Sequence, residues 1–132
     1  MQKLVIKTQK NKEVVDITET INKALSKMDA DNGLCHLFLT HTTASLATAD
    51  LDPGTDLDML EAYDAMVPEL NYRHPHDPAH VPDHILSTML GTGVWVPVEK
   101  KKLVLGLWQK VVLFEFEGPR DRQVILNFIK TE

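Results

Sequence analysis

Cysteine is nearly absent: Cys35 stands alone in 132 residues, so no internal disulfide can form. Its place inside the apolar run "LCHLFLT" suits a buried, reduced thiol, and the cytoplasm is the expected compartment. Basic charge is also short. Lysine and arginine number 14 against 19 aspartates and glutamates, a formal net charge of −5. That is the wrong sign for a duplex nucleic-acid binder, which needs a basic face to displace phosphate counterions. A small anionic ligand is not excluded, because one or two local cations suffice for it. Aromatic residues are few, two tryptophans, two tyrosines and four phenylalanines, with no basic clusters interleaved. A stacking platform for single strands is therefore not expected. Long apolar runs are missing too: no stretch reaches the roughly 18 residues of a membrane span. The opening "MQKLVIKTQK" is too charged for a secretory signal.

What is present fits one domain, residues 1–132, long enough to bury a core. "KLVIKT" has the density of a short strand, and Ile17, Ile21, Ala24, Leu25 and Met28 recur at helical spacing. After the break at Asp31, Asn32 and Gly33, "LCHLFLT" is so continuously apolar that it reads as a central strand covered on both faces. "DPGTDLDML" offers a turn, Thr55 as N-cap and Asp58 in the capping-box position, opening a helix to about Val67 that Pro68 ends. Pro68, Pro75, Pro78 and Pro82 punctuate a stretch without apolar period, an irregular connection of a length that is often functional. Pro82 is placed to open a short helix through Leu90, closed by Gly91. "VWVPV", "KLVLGLW", "KVVLFEF" and "RQVILNFI" then read as four strands. Segregated rather than alternating elements favour an α+β fold: one domain with a mixed or antiparallel, sandwich-like sheet and peripheral helices.

Six histidines occur, at 36, 41, 74, 76, 80 and 84, the last four within eleven residues. Imidazole is the commonest nitrogen ligand for zinc, and three histidines with one open position is an arrangement found in catalytic zinc sites. Spacing leaves two readings open, metal ligands or solvated loop histidines. Strand alternation puts His36 with Leu34 and Phe38 and leaves His41 on the other side, at the strand's end, where a polar turn begins. His36 reads as a core or interface residue. His41 is placed either to serve a site or to bond a neighbouring carbonyl.

Asp50, Asp52, Asp56 and Asp58 crowd the same region. They can hold an ion, orient an imidazole, or simply favour a helix start. Glu115 alternates with Val111 and Leu113, a costly place for a carboxylate without a partner. Arg120, directly after "EGP", can grip a carboxylate or phosphate bidentately or lie on the surface.

Together "HTTASL" at 41–46, "DP" at 52–53, "YRH" at 72–74, "HI" at 84–85, "VPV" at 96–98, "LGLWQ" at 105–109 and "EFEGPR" at 115–120 resemble the YjbQ-like family. The resemblance covers nearly the whole chain. It implies a single-domain α+β fold assembling as a homotrimer with a histidine metal site, in a family whose members are described as secondary thiamine-phosphate synthases. It maps His41, His74 and His84 onto the metal ligands, with zinc the expected ion and magnesium accompanying a pyrophosphate substrate. Arg120 and the hydroxyls of Thr42, Thr43 and Ser45 become candidates for binding phosphate, and Asp50 and Glu115 candidate catalytic acids. His76 and His80 match no family histidine. The chain departs from the family pattern at Ala49 and Asp50, at Leu107, within "EKKK" and at Asp83.

The implied reaction joins a pyrimidine pyrophosphate to a thiazole phosphate. It requires stabilisation of the leaving pyrophosphate and alignment of the thiazole nitrogen. Neither a Gly-rich phosphate loop nor a pyrophosphate-binding acidic motif is present. Two alternatives stand beside the synthase: a metal-dependent phosphoester hydrolase, and a non-enzymatic metal-bound trimer binding a phosphorylated metabolite or a protein.

Overall fold

Two curled antiparallel sheets share a core, and the chain passes repeatedly from one to the other. The structure, a computed structural model, describes residues 1–131. Strand β1 (Gln2–Lys7) is followed by β2 (Glu13–Asp16), helix α1 (Thr18–Lys27), β3 (Gly33–Leu39) and β4 (Ala44–Ala49). Helix α2 (Thr55–Met66), a 3₁₀ turn (Pro78–His80) and α3 (Val81–Leu90) precede β5 (Gly93–Glu99), β6 (Lys102–Leu103), β7 (Lys110–Glu115) and β8 (Asp121–Lys130). The five-stranded sheet has the order β1-β8-β3-β5-β6, and the three-stranded sheet β2-β7-β4. The expected α+β class, with sandwich-like sheets and peripheral helices, is what forms.

Side-chain alternation explains the layers. Cys35, Leu37 and Leu39 of β3 and Val124 and Leu126 of β8 point inward, where they meet Ile21, Ala24 and Leu25 of α1 and Val111 and Leu113 of β7. The opposite face of β7, Val112 and Phe114, continues with Phe116 into a second cluster with Val67 and Leu86. Tyr63 of α2 meets Phe114 edge-on at 5.5 Å. Each buried aliphatic side chain contributes about 1.5–3 kcal/mol relative to exposure, so α1 is held mainly by the stripe read from its period.

Several expectations change. The strand covered on both faces is β7, not β3: Leu34 and Phe38 remain well exposed on the outside of the large sheet. The run "LCHLFLT" is apolar on both faces, yet this chain covers only one. Strands β2 and β4 were not expected; "EVVD" is short, and "ASLATA" carries too many small and polar residues to read as a strand. "KLVLGLW" pairs only at Lys102 and Leu103 before a turn. Thr55 does not cap α2; Gly54, at φ 91°, precedes it, and the Thr55 N–H bonds the Asp52 carbonyl at 2.9 Å. The irregular stretch after Pro68 is as expected apart from its 3₁₀ turn, and α3 ends at Gly91, whose φ of 91° suits glycine.

Candidate functional site

The site forms where the chain changes sheets. Residues 40–43 carry it from β3 to β4, residues 116–120 from β7 to β8, and residues 8–12 from β1 to β2. Backbone bonds clamp these passages together: Phe116 N–H to the Thr43 carbonyl at 3.2 Å, Thr8 N–H to the Arg120 carbonyl at 3.0 Å, and Gly118 N–H to the Asn11 carbonyl at 2.8 Å. A cleft of about 620 Å³ opens beside them, lined by Thr40, His41, Thr42, Thr43, His84, Glu117, Arg120, Asp121 and Arg122. A second cleft of about 640 Å³ shares Thr40, His41, Thr42 and His84, and continues to Ser87, Thr88 and Thr92.

Beneath the cleft lies a buried ion pair. Glu115 is 0 % exposed and Arg122 2 %. Arg122 Nε donates to Glu115 Oε2 at 2.8 Å, and its Nη2 contacts Oε1. Thr8 Oγ1 donates to Oε2 at 2.8 Å and the Glu117 N–H to Oε1 at 3.0 Å. Burial alone would raise the Glu115 carboxyl. The Arg122 guanidinium, the Glu117 N–H and the Thr8 hydroxyl together outweigh it and hold the group below the usual carboxylate range. The cost anticipated for Glu115 is thus met by a partner, Arg122. A fully enclosed carboxylate cannot touch a substrate, so the catalytic role expected of Glu115 becomes one of positioning Arg122. Arg122 Nη2 also donates to Thr43 Oγ1 at 3.0 Å and to its carbonyl at 3.2 Å.

The histidines can be assigned protons from their backbone partners, since an N–H only donates and a carbonyl only accepts. His84 Nδ1 lies 2.9 Å from the Thr42 carbonyl, so Nδ1 bears a proton, and in the neutral ring Nε2 is bare. His41 is the reverse: its Nε2 accepts from the Gln123 N–H at 2.8 Å, which leaves the proton on Nδ1. Its pKa is lowered, by burial first and then by the charges of Arg122 and Arg120, against an opposing pull from Glu115. His74 Nδ1 accepts two backbone N–H groups, from His76 and Asp77, both at 3.1 Å, so its Nε2 carries the proton. The His74 ring stacks on His84 with centroids 5.2 Å apart and planes 9° from parallel.

This pattern does not fit a metal on His41, His74 and His84. Only His84 combines a proton anchored on a carbonyl with a bare second nitrogen, the arrangement a ligating imidazole adopts. The other two would have to surrender bonds to backbone N–H groups. Among the described residues, the group of three whose ligand atoms lie within 4.8 Å of one another is His80, Asp83 and Glu117.

The remaining candidates divide. Arg120 lies on the cleft, its Nε bonded to the Glu117 carbonyl at 2.8 Å and its Nη2 to Glu117 Oε1 at 3.0 Å. Thr42 and Thr43 line the cleft, whereas Ser45 is wholly buried in β4 and lies near the Ser87 carbonyl at 3.5 Å. Ser45 is therefore a packing hydroxyl rather than a phosphate ligand. Asp50 lines a different hollow with Leu51, Asp52, Leu107, Trp108 and Lys110. Within this chain it is not part of the histidine cleft. His36 lies on the outer sheet face against Trp95, ring centroids 4.4 Å apart. Burial pushes the Cys35 thiol up to about 12, which makes it unreactive.

Arg122 and the His80 cluster escaped the sequence reading. A signal for Arg122 existed, since it alternates with Val124 and Leu126 on the inward side of β8, where an arginine demands an acid such as Glu115.

The sequence profile of the family described as UPF0047 protein YjbQ-like matches residues 2–131. The chain belongs to this family. It is similar to a UPF0047 protein of Archaeoglobus fulgidus, 37 % identical over 94 % of this chain and 97 % of that one. YugU of Bacillus subtilis, another UPF0047 protein, is 32 % identical over 98 % of both. Among solved structures, a YjbQ/UPF0047 protein of Clostridium acetobutylicum covers 98 % of this chain and 100 % of its own, at a TM-score of 0.88 and 31 % identity. A hypothetical protein of Aeropyrum pernix aligns at a TM-score of 0.89 and 28 % identity, over 98 % of both chains. Among the described residues of this YjbQ-like chain, no helix is long and apolar enough to cross a membrane.

Proposed function

We propose that the protein binds the phosphate end of a small phosphorylated metabolite in the cleft between residues 40–43 and 116–122. The observation that carries this reading is the meeting of Arg120, His41 and Thr42 around one open space, with Arg122 held by Glu115 behind them and the His41 proton left on Nδ1. An arginine and a proton-bearing imidazole are donors for phosphate oxygens, and the volume of about 620 Å³ suits a small metabolite. His84 adds a bare Nε2 able to accept a proton or a substrate hydroxyl. No step runs through a metal at His41, His74 and His84, because His41 and His74 present protons rather than lone pairs. Magnesium carried by a pyrophosphate would enter as part of the substrate.

The enzyme reading best matched to this cleft is group transfer from a pyrimidine pyrophosphate to a thiazole phosphate, the thiamine-phosphate synthase reaction. Here the donors would stabilise the leaving pyrophosphate. Phosphoester hydrolysis is the rival. The deciding experiment titrates the purified protein with pyrophosphate by calorimetry, then incubates it with both synthase substrates. Saturable binding with thiamine phosphate formed supports the synthase. Phosphate release without the thiazole partner supports the hydrolase, and binding without turnover leaves a metabolite-binding protein. Absence of any phosphate binding defeats the proposal.

The outer face of the large sheet supports self-association, with the homotrimer as the proposed state. Val5, Leu34, Phe38, Trp95 and Ile129 are all exposed there, and Trp95 is 58 % exposed. Register places Leu34 opposite Ile129 and His36 opposite Trp95, so they share one face.

A further inference from the structure

We infer that His80, Asp83 and Glu117 form a divalent-cation site beside the phosphate cleft, separate from the histidines that line it. Three short segments converge there. His80 ends the 3₁₀ turn, Asp83 lies in the first turn of α3, and Glu117 belongs to the passage from β7 to β8. A ring nitrogen of His80 and one carboxylate oxygen from each acid fall within 4.8 Å of one another, near enough for small side-chain adjustments to bring all three onto a single ion. Asp83 is only 6 % exposed, a carboxylate held in place rather than a solvated one.

The second observation is the environment of the His80 ring. Its Nδ1 lies 3.1 Å from Asp83 Oδ2, while its Nε2 lies 3.0 Å from Asp77 Oδ2 and 3.5 Å from Glu117 Oε1. Both nitrogens therefore face carboxylate oxygens. A neutral imidazole has one bare nitrogen, and its lone pair would oppose those of a carboxylate. The arrangement is satisfied only by a cation, either a second proton on the ring or a metal ion shared between nitrogen and carboxylate.

Charge counting points the same way. Lys12 Nζ lies 3.1 Å from Asp83 Oδ1, and Arg120 Nη2 3.0 Å from Glu117 Oε1. These two cations face three carboxylates, so with a neutral His80 one negative charge remains, which a proton on the ring neutralises and a divalent ion exceeds by one. One nitrogen with several carboxylate oxygens is a borderline-to-hard donor set that suits zinc, cobalt(II) or manganese. Metal binding would release the His80 proton, and would draw on the carboxylate that tethers Arg120. The site stands independently of the phosphate reading, although Glu117 belongs to both.

Cobalt(II) is the probe, followed by its visible absorption and by equilibrium dialysis at pH 8 and pH 6. The wild-type protein should bind one equivalent more weakly at pH 6, where the proton competes. His80→Gln should weaken binding by more than the roughly 10- to 100-fold that loss of an outer-shell partner costs. His41→Ala and His84→Ala should keep that equivalent. His80 is part-exposed, so its variant should fold; Glu117→Gln provides a second test from another segment. Unchanged cobalt binding in both His80→Gln and Glu117→Gln, loss in His41→Ala instead, or no binding to the wild-type protein overturns the site. Failure of pyrophosphate binding in the same preparation bears only on the cleft.

Discussion

Arg122 and Glu115 join the two sheets across the core, the guanidinium of β8 against the carboxylate of β7, at a point where neither reaches solvent. The pair fixes the sheet-changing passages from which the cleft is made, because Arg122 also holds Thr43 and Glu115 also holds Thr8 and the Glu117 N–H.

Glu115→Gln should therefore destabilise the fold by about 3–5 kcal/mol, since it leaves a buried guanidinium without its counter-ion. The Glu115→Gln, Arg122→Met double variant should recover much of that loss, as a non-additive cycle in chemical denaturation. The pH dependence has a definite sign. The carboxyl is held below its ordinary range in the folded state, so its stabilisation is complete above that range and disappears as pH falls through the lowered folded value. Acid-unfolding curves should show this slope in the wild-type protein and lack it in Glu115→Gln.

Arg120 is on the cleft but half exposed, and its side-chain bonds run to Glu117 alone. Arg120→Ala should leave thermal stability nearly unchanged. It should weaken pyrophosphate binding by roughly 1.5–3 kcal/mol, about 10- to 150-fold, the scale of a charged hydrogen bond. Equal affinity in variant and wild type would remove Arg120 from the phosphate site.

Much of this was legible in the sequence where one local pattern decided the outcome. The period of Ile17, Ile21, Ala24 and Leu25 gave α1, Pro68 ended α2, and the inward register of Glu115 required a partner. What stayed hidden depended on pairing between distant segments. β4 is a strand because Ser45 and Leu46 pair with Phe114 and Leu113, not because "ASLATA" favours extension. Likewise, the motif histidines gave the neighbourhood of the cleft but not its proton pattern. That pattern is set by the backbone of Gln123, Thr42, His76 and Asp77, whose positions no side-chain spacing encodes.

Gly118 offers a purely steric test. A Cβ there would lie 2.2 Å from the Lys10 carbonyl oxygen and 2.8 Å from Glu115 Cγ, so Gly118→Ala must push apart two sheet-changing passages. Destabilisation of about 1–3 kcal/mol is expected, with weaker pyrophosphate binding as the cleft shifts. Normal stability in the variant would mean that these passages are not rigidly clamped.

The apolar outer face predicts that Trp95→Glu lowers the assembly state in sedimentation velocity. The far-ultraviolet spectrum should not change, since Trp95 contributes no inward-facing side chain to the core. A wild-type protein that sediments as a monomer would leave the face uncovered and remove the trimer.

His41 supplies the pH test of the cleft. Its Nε2 must stay bare to accept the Gln123 N–H, and burial with the nearby arginines already disfavours its protonated form. A histidine whose folded pKa is depressed contributes stability that is complete above the ordinary histidine range and is lost as pH falls through its lowered value. Its ring resonance should therefore titrate below that of free histidine in the ligand-free protein. A bound phosphate accepting from Nδ1–H would favour positive charge on the ring and move the midpoint up. A midpoint that pyrophosphate leaves unmoved would place the anion away from His41, and the cleft would lose one of the donors proposed for it.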